Sequence, residues 1–396
     1  MSQEGRGIAS RQGKVVFVSG ALPGETVLAQ CTAVRRDYDE AQMLGLVDGN
    51  RPAPERSEPA CPIYRDCGGC TLQHWSLQAQ QAHKQANLLA LLRPIAPGLA
   101  LDPPISSTAS AYRHRLRLLV QRNPDQSCLL GMRRRGSHEA VAVRHCLVAN
   151  TFVNQLLETL PALLAAVPGL QGLREIEVDS DSSGRLGLCC YFAANPGDRG
   201  LALLRDALLT GPVVALRVRL VAPRKPRPEQ DWDDAGEGVA DWQELYAEGE
   251  LRLSLHCPGE NADSPAQVEE MAYLPGDFTQ TNWEVNRALV SRALAWLQPR
   301  GDERALDLFS GIGNFALPLA RRAAAVDALE GDASMTARLD ENAARNGISN
   351  IRAGTVNLMA DAPALPRADI AVLDPPRAGA KAVCAALPRT GVKRLV

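Results

Sequence analysis

From about residue 283 to its end, this 396-residue chain alternates between two hydrophobic periods. Residues 283–297, 314–322 and 332–346 carry apolar positions at helical spacing. Between and after them lie short apolar runs at 304–309, 324–329, 350–354 and 369–373. Strands this apolar on both faces cannot border water, so the alternation predicts a doubly wound parallel sheet covered by helices. The first strand runs into Phe309-Ser310-Gly311-Ile312-Gly313-Asn314, a glycine turn that opens a helix. The last runs into Asp374-Pro375-Pro376-Arg377. Ligands of such sheets sit outside the carboxyl ends of the strands, where both loops fall.

The remaining sequence reads as β-rich. Strand candidates at 14–19, 26–34 and 40–47, with a turn at Pro23-Gly24, suit a small five-stranded barrel that draws one strand from residues 1–10. Residues 51–59, rich in proline and charge, read as a linker, and Ser76 as the N-cap of a helix reaching residue 92. From 105 to 257 the pattern is mostly β (115–121, 213–221, 251–256), with one helical stretch at 150–167. Residues 224–238 are proline-rich, then acidic, and read as an exposed loop.

Length predicts two or three domains, and 45% hydrophobic residues suffice for real cores. No run reaches the length of a membrane span and the N-terminus lacks a signal-peptide pattern, so a cytoplasmic protein is expected. The net charge of -2 offers no global attraction to polyanions. Its distribution is uneven: Arg113, Arg115, Arg117, Arg122, Arg133, Arg134, Arg135 and Arg144 face only Asp102, Asp125 and Glu139 between residues 101 and 150. Strand periodicity places Arg113, Arg115 and Arg117 on one face. Each alone reads as a solvated charge; together they predict a phosphate-tracking surface for nucleic acid.

Cys61, Cys67 and Cys70 fall within ten residues, and Gly68-Gly69 lets the backbone wrap closely. Thiolates this crowded repel one another unless a cation or cluster neutralises them. Cys146 is the best fourth ligand, and the spacing suits zinc and an iron–sulfur cluster equally. Cys31, Cys128, Cys189, Cys190, Cys257 and Cys384 lie in apolar settings and read as small core residues.

Gly311 and Gly313 fit a dinucleotide turn only in part, because Ala316 stands where a third glycine would be. Glu330, at the end of the next strand, supplies the carboxylate that nicotinamide and adenosylmethionine sites both place on ribose. Asp374-Pro375-Pro376-Arg377 has no use in a dinucleotide fold. It suits an S-adenosylmethionine enzyme, where the substrate base must face the sulfonium methyl. Arg377 replaces the aromatic residue that amine methylation uses to stack its base, which points to a ring carbon such as uracil C5. That carbon is a poor nucleophile. A thiolate must add at C6, the resulting enolate attacks the methyl group, and a base removes the C5 proton.

With these residues in place, the chain resembles, over essentially its whole length, the bacterial 23S rRNA (uracil-5-)-methyltransferases within the RNA m5U methyltransferases. Residues 4–7 and 21–25 are similar to a TRAM domain, an OB-like RNA-binding barrel. The resemblance makes Cys61, Cys67, Cys70 and Cys146 the ligands of a [4Fe-4S] cluster. Asp277-Phe278-Thr279-Gln280-Thr281-Asn282 matches a cofactor-contacting segment. The implied S-adenosylmethionine contacts are Gln280, Phe309, Asn314, Glu330, Asn357 and Asp374, with Glu330 on the ribose, Asn357 near the adenine and Asp374 at the methionine end. The implied organisation is a TRAM barrel at 1–52, a central iron–sulfur and RNA-binding domain at 53–72 and 105–262, and a Rossmann-like methyltransferase domain at 73–104 and 263–396.

The resemblance further implies a monomer that acts on 23S ribosomal RNA and has no membrane partner. The chain starts inside the first barrel strand of the pattern. The family's Ser-Cys-Asn-Pro nucleophile motif and its glutamate base are not in the sequence. No catalytic residue is therefore assigned, both being expected beyond Val396, and an inactive fragment is expected. Cys384 is no substitute, since it falls in a helix rather than at a strand end. Two other functions compete: an RNA-binding protein whose chemistry is lost, and an NAD-linked iron–sulfur oxidoreductase.

Overall fold

The structure is a computed structural model, and it describes residues 1–125, 127–208, 211–221, 243–257 and 267–396. The expected loop at 224–238 lies outside the described residues. The chain divides into two compact units, Met1–Ala109 with Gly131–Leu147, and Ser110–Leu130 with Val148–Val396.

In the first unit, β1 (Gly7–Arg11), β2 (Lys14–Ser19), β3 (Val27–Val34) and β4 (Tyr38–Leu46) form a sheet in the order β1-β2-β4-β3. The pair β2–β4 is parallel and the others antiparallel. Val18, Ala21 and Ala41 form its small core. Among the described residues, no fifth strand joins this sheet. The fully buried Glu25 carboxylate instead accepts the amides of Leu22 and Ala53 and pairs with Arg56, which holds the chain after β4 as coil. Helix α1 (Leu77–Leu92) follows, its N-cap Ser76 accepting the Ala79 amide at 3.3 Å. It belongs to the first unit, whereas the resemblance grouped 73–104 with the methyltransferase domain.

The chain then forms β5 (Arg115–Arg122) in the second unit and passes through β6 (Cys128–Arg133) to β7 (Ala140–Ala142) in the first. Back in the second unit come α2 (Thr151–Ala166), capped by Asn150, β8 (Leu173–Ser180), β9 (Leu186–Phe192), α3 (Gly197–Leu208), β10 (Val213–Leu220) and β11 (Gln243–Ala247). Their strands lie in the order β11-β10-β9-β8-β5. Helix α3 corrects the expectation of a single helix in this region. Pro196, Gly197 and Gly200 mask its start, while Leu201, Leu204 and Leu208 recur at helical spacing and are buried.

An antiparallel ribbon, β12 (Leu251–Cys257) with β13 (Gln267–Tyr273), leads to α4 (Trp283–Leu297). The expected alternation follows: β14 (Arg304–Leu308), α5 (Ala316–Ala320), β15 (Ala325–Glu330), α6 (Ala333–Arg345), β16 (Ile351–Thr355), β17 (Ile370–Leu373), α7 (Lys381–Ala386) and β18 (Arg394–Leu395). The five strands are all parallel, in the order β16-β15-β14-β17-β18. Leu306, Ala328, Ile370 and Ala371 are buried, as strands covered on both faces require. The chain winds outward from β14 through β15 to β16, then returns to β14's other side as β17. That reversal opens a crevice at the strands' carboxyl ends.

Candidate active site

Four loops converge on this crevice, leaving the ends of β14, β15, β16 and β17. After β14 the backbone turns sharply at Phe309, whose φ of 65° is left-handed and rare for an aromatic residue. The amides of Phe309 and Ser310 both donate to the carbonyl of Leu329, at 2.9 and 3.1 Å. These bonds hold the turn against β15 and sustain a conformation that costs about 1–3 kcal/mol. Gly313 has φ 108°, and a Cβ there would stand 3.1 Å from Leu317. Glycine at 313 therefore lets the helix close under the turn.

Glu330 ends β15. One of its carboxylate oxygens accepts the Gly311 amide at 2.9 Å; the other accepts the amides of Gly331 (2.7 Å) and Asp332 (3.1 Å). A carboxylate has about four acceptor positions. Three are filled by backbone, leaving one on the oxygen beside the glycine turn. Asn357, exposed after β16, accepts the Met359 amide with its side chain in a local turn at 3.0 Å. Asp374 is exposed after β17. Partial desolvation moves its carboxyl above the usual range.

Gln280 is half-buried in the loop before α4. Asn314 exchanges two amide hydrogen bonds with Asn286 of α4, at 2.8 and 3.0 Å. The expected set thus falls into two groups. Phe309, Asn314, Glu330, Asn357 and Asp374 stand at the strand ends of one sheet. Gln280 sits two residues before Asn282, the N-cap of α4.

Three contributors escaped the sequence reading. Asp307, fully buried in β14, has a carboxyl pushed up to about 8. Burial is the main cause. The negative charges of Asp374 and Glu330 add to it, and the Ala316 amide opposes it. Asn342, also fully buried, donates from α6 to the carbonyls of Ala272 and Ile312, both at 3.1 Å, and so fastens the glycine turn to β13. Asn286 is 2% exposed. The signal for Asn342 and Asn286 was a polar residue on the apolar stripe of a helix.

The arginine strip is largely committed within the protein, which corrects its reading as an open phosphate track. Arg115 pairs with the buried Asp179 and Arg117 with Glu175, both acids of β8. Arg122 donates to the carbonyls of Leu164, Ala165 and Val167 at the end of α2. Arg134 pairs with Asp66 and Glu139. Arg135 donates to the carbonyls of Tyr64, Cys67 and Cys70. Arg144 is exposed. The acids at 175, 177 and 179 alternate as the arginines do, and Arg115 lies directly opposite Asp179.

The four expected metal ligands lie in the first unit and share one electrostatic neighbourhood. Burial first, then Cys70, Cys146 and Cys61, raise the Cys67 thiol, while the Gly69 amide opposes them. A Cβ at Gly68 would stand 3.0 Å from the Arg133 carbonyl, so the loop needs glycine there. In number and softness the donors suit an iron–sulfur cluster. Among the described residues, no group of three or more His, Cys, Asp or Glu is gathered tightly enough for a single metal ion. The other cysteines depart from expectation. Only Cys189 and Cys190 are buried; Cys31 and Cys384 are exposed, Cys128 is half-buried, and the side chain of Cys257 lies outside the description.

Comparison with known proteins agrees with this geometry. The tRNA (Uracil-5-)-methyltransferase family profile matches residues 266–362, and the TRAM domain profile matches residues 1–44. A 23S rRNA (uracil(1939)-C(5))-methyltransferase RlmD from Chromohalobacter salexigens is 36% identical over 401 residues, covering 100% of this chain and 78% of its own. The enzyme of that name from Aeromonas salmonicida is 37% identical over 398 residues, covering 98% of this chain and 83% of its own. The fold is similar to that of the Pyrococcus abyssi tRNA (uracil-54, C5)-methyltransferase solved with S-adenosyl-L-homocysteine. There the TM-score is 0.66 at 18% identity, covering 95% of this chain and 83% of that one. These likenesses leave no place for the NAD-linked alternative: the chain belongs to the RlmD family of 23S rRNA uracil-C5 methyltransferases.

Proposed function

We propose that this chain binds S-adenosylmethionine in the crevice around β14 and directs its methyl group to C5 of a uracil in 23S ribosomal RNA. One observation carries the reading. Asp307, Glu330 and Asp374 form an acidic group: burial, then the negative charges of Asp374 and Glu330, hold the Asp307 carboxyl up. A ligand with a sulfonium and an ammonium group supplies the missing positive charge, whereas a pyrophosphate would be repelled. Glu330 keeps one free acceptor position for a ribose hydroxyl. Gln280, Phe309, Asn314, Asn357 and Asp374 would complete the contacts, with Asn357 toward the adenine and Asp374 toward the methionine end. When bound, S-adenosylmethionine supplies an electrophilic methyl group.

The cysteine quartet would hold a [4Fe-4S] cluster whose role is to shape the loop at 61–70. The Cys67 thiol, raised by burial and then by Cys70, Cys146 and Cys61, and the closely wrapped glycines support this. The sheet at 1–52 and the exposed Arg144 would contribute to RNA binding, 53–72 would carry the cluster loop, and 263–396 would form the methyltransferase domain. The reading is tested by base analysis of 23S rRNA incubated with the protein and labelled S-adenosylmethionine. Any methyl group transferred should be recovered as 5-methyluridine; an N-methylated purine would contradict it.

A further inference from the structure

The loop that carries Gln280 is held in an unusual way. Its first residue, Asp277, is 8% exposed and meets three arginines from three elements. Arg217 of β10 donates to the carboxylate at 3.3 Å and to the Pro275 carbonyl at 3.3 Å. Arg338 of α6 stands 3.6 Å from the other carboxylate oxygen, which also accepts the Leu274 amide at 2.9 Å. Arg115 of β5 donates to the Asp277 carbonyl at 2.7 Å. Each of these arginine side chains is at most 16% exposed.

The turn before Asp277 is seated as firmly. A Cβ at Gly187 of β9 would stand 2.4 Å from the Pro275 ring, so the turn lies directly on the sheet. Beyond Gln280 the chain is fastened again. The His114 amide donates to the Thr281 carbonyl at 3.4 Å, and Arg113 bridges Asn282. Gln280 therefore stands between two anchors, three residues after one and one residue before the other. Buried charge of this kind is costly unless every partner is in place, and its best-attested use is to fix a register.

We propose that Asp277 is a positioning residue for the S-adenosylmethionine site. Its carboxylate, gripped by Arg217 and Arg338, and its carbonyl, gripped by Arg115, set where the Gln280 amide stands. The same grip ties the cofactor loop to β5 and β10, so a shift of either strand reaches the cofactor. The proposal rests on the reading of Gln280 as a cofactor contact.

Calorimetric titration of the whole chain with S-adenosylhomocysteine tests it. Asp277→Asn keeps the shape but removes the charge, and should weaken binding about tenfold, because small displacements of a positioning group are felt this strongly. Gln280→Ala should weaken it as well. The double variant should bind no more than about twofold more weakly than Gln280→Ala alone, since residues acting through one another are not additive. Should Asp277→Asn not fold, Arg338→Gln leaves Arg217 on the carboxylate; it should stay folded at the assay temperature and still weaken binding about threefold. Wild-type affinity in the folded Asp277 or Arg338 variant, or full additivity in the double variant, would overturn the proposal. Wild-type affinity in Gln280→Ala would instead remove its premise.

Discussion

The carboxylate of Glu330 accepts the backbone amide of Gly311 at 2.9 Å, so the residue that ends β15 also holds the glycine turn that follows β14. Ligand binding and local folding therefore share one side chain. Glu330→Ala should abolish measurable S-adenosylmethionine binding and also destabilise the protein by about 1–2 kcal/mol, because three amides lose their acceptor. Glu330→Gln retains two acceptor positions and should melt closer to the wild type while still binding weakly. Calorimetry and thermal denaturation check both effects; a Glu330→Ala protein with wild-type affinity contradicts the pocket.

Asp307 gives the fold a pH dependence with a definite sign. Its folded pKa, pushed up to about 8 by burial and then by Asp374 and Glu330, lies above the ordinary aspartate value of 3.8 that the unfolded chain keeps. The folded state therefore holds a proton that the unfolded state releases. This contribution is fully present below pH 3.8 and is lost as pH rises through about 8. Asp307→Asn should remove a slope of up to about 1.4 kcal/mol per pH unit across that window, and raise stability most at the alkaline end. Denaturant melts at pH 6 and pH 9 measure the difference; parallel curves for variant and wild type would count against it.

Arg115 and Asp179 form a buried pair whose members cannot be removed singly. Burial alone would lower the Arg115 pKa, but Asp179 and then Glu177 raise it, so the guanidinium stays charged. Asp179→Ala leaves that charge without its main partner and should cost about 3–5 kcal/mol in urea denaturation. Replacing both residues with apolar ones of similar volume should recover most of the loss. A single variant as stable as the wild type would show that the pair contributes nothing.

Cys67 is the thiol raised by burial and then by Cys70, Cys146 and Cys61. Cys67→Ser should release the bound iron and the visible absorbance of the cluster, and lower the melting temperature, since metal-binding free energy is also folding free energy. Full iron content in that variant would contradict the ligand assignment. A colourless wild-type protein that carries stoichiometric zinc would remove the cluster altogether.

Much of this architecture was legible because local pattern and tertiary role agree. The strands at 304–309 and 369–373 are apolar on both faces, and the helices between them keep one stripe. A parallel sheet covered by helices on both faces buries both. The glycine turn and Glu330 were visible for the same reason, as their positions at strand ends follow from the fold class. What stayed hidden depends on pairings distant in sequence. Arg115 and Arg117 look like an RNA track until β8 brings Asp179 and Glu175 against them. Nothing local marks Glu25 as the acid around which Leu22, Ala53 and Arg56 close. Asp307 was read as part of an apolar strand, because nothing local tells that its carboxyl lies beside two others. Asn314, an implied cofactor contact, turns its amide onto Asn286, 28 residues away in sequence.

The most direct test of the central claim is a calorimetric comparison of S-adenosylmethionine, S-adenosylhomocysteine and NAD on the wild-type chain between pH 6 and pH 9. The acidic group at Asp307, Glu330 and Asp374 predicts saturable binding of both adenosyl ligands and none of NAD. It also predicts that the cationic sulfonium ligand gains affinity over its neutral thioether product as Asp307 loses its proton near pH 8. Binding of NAD, or an affinity ratio of the two adenosyl ligands that stays constant across this range, would contradict the account.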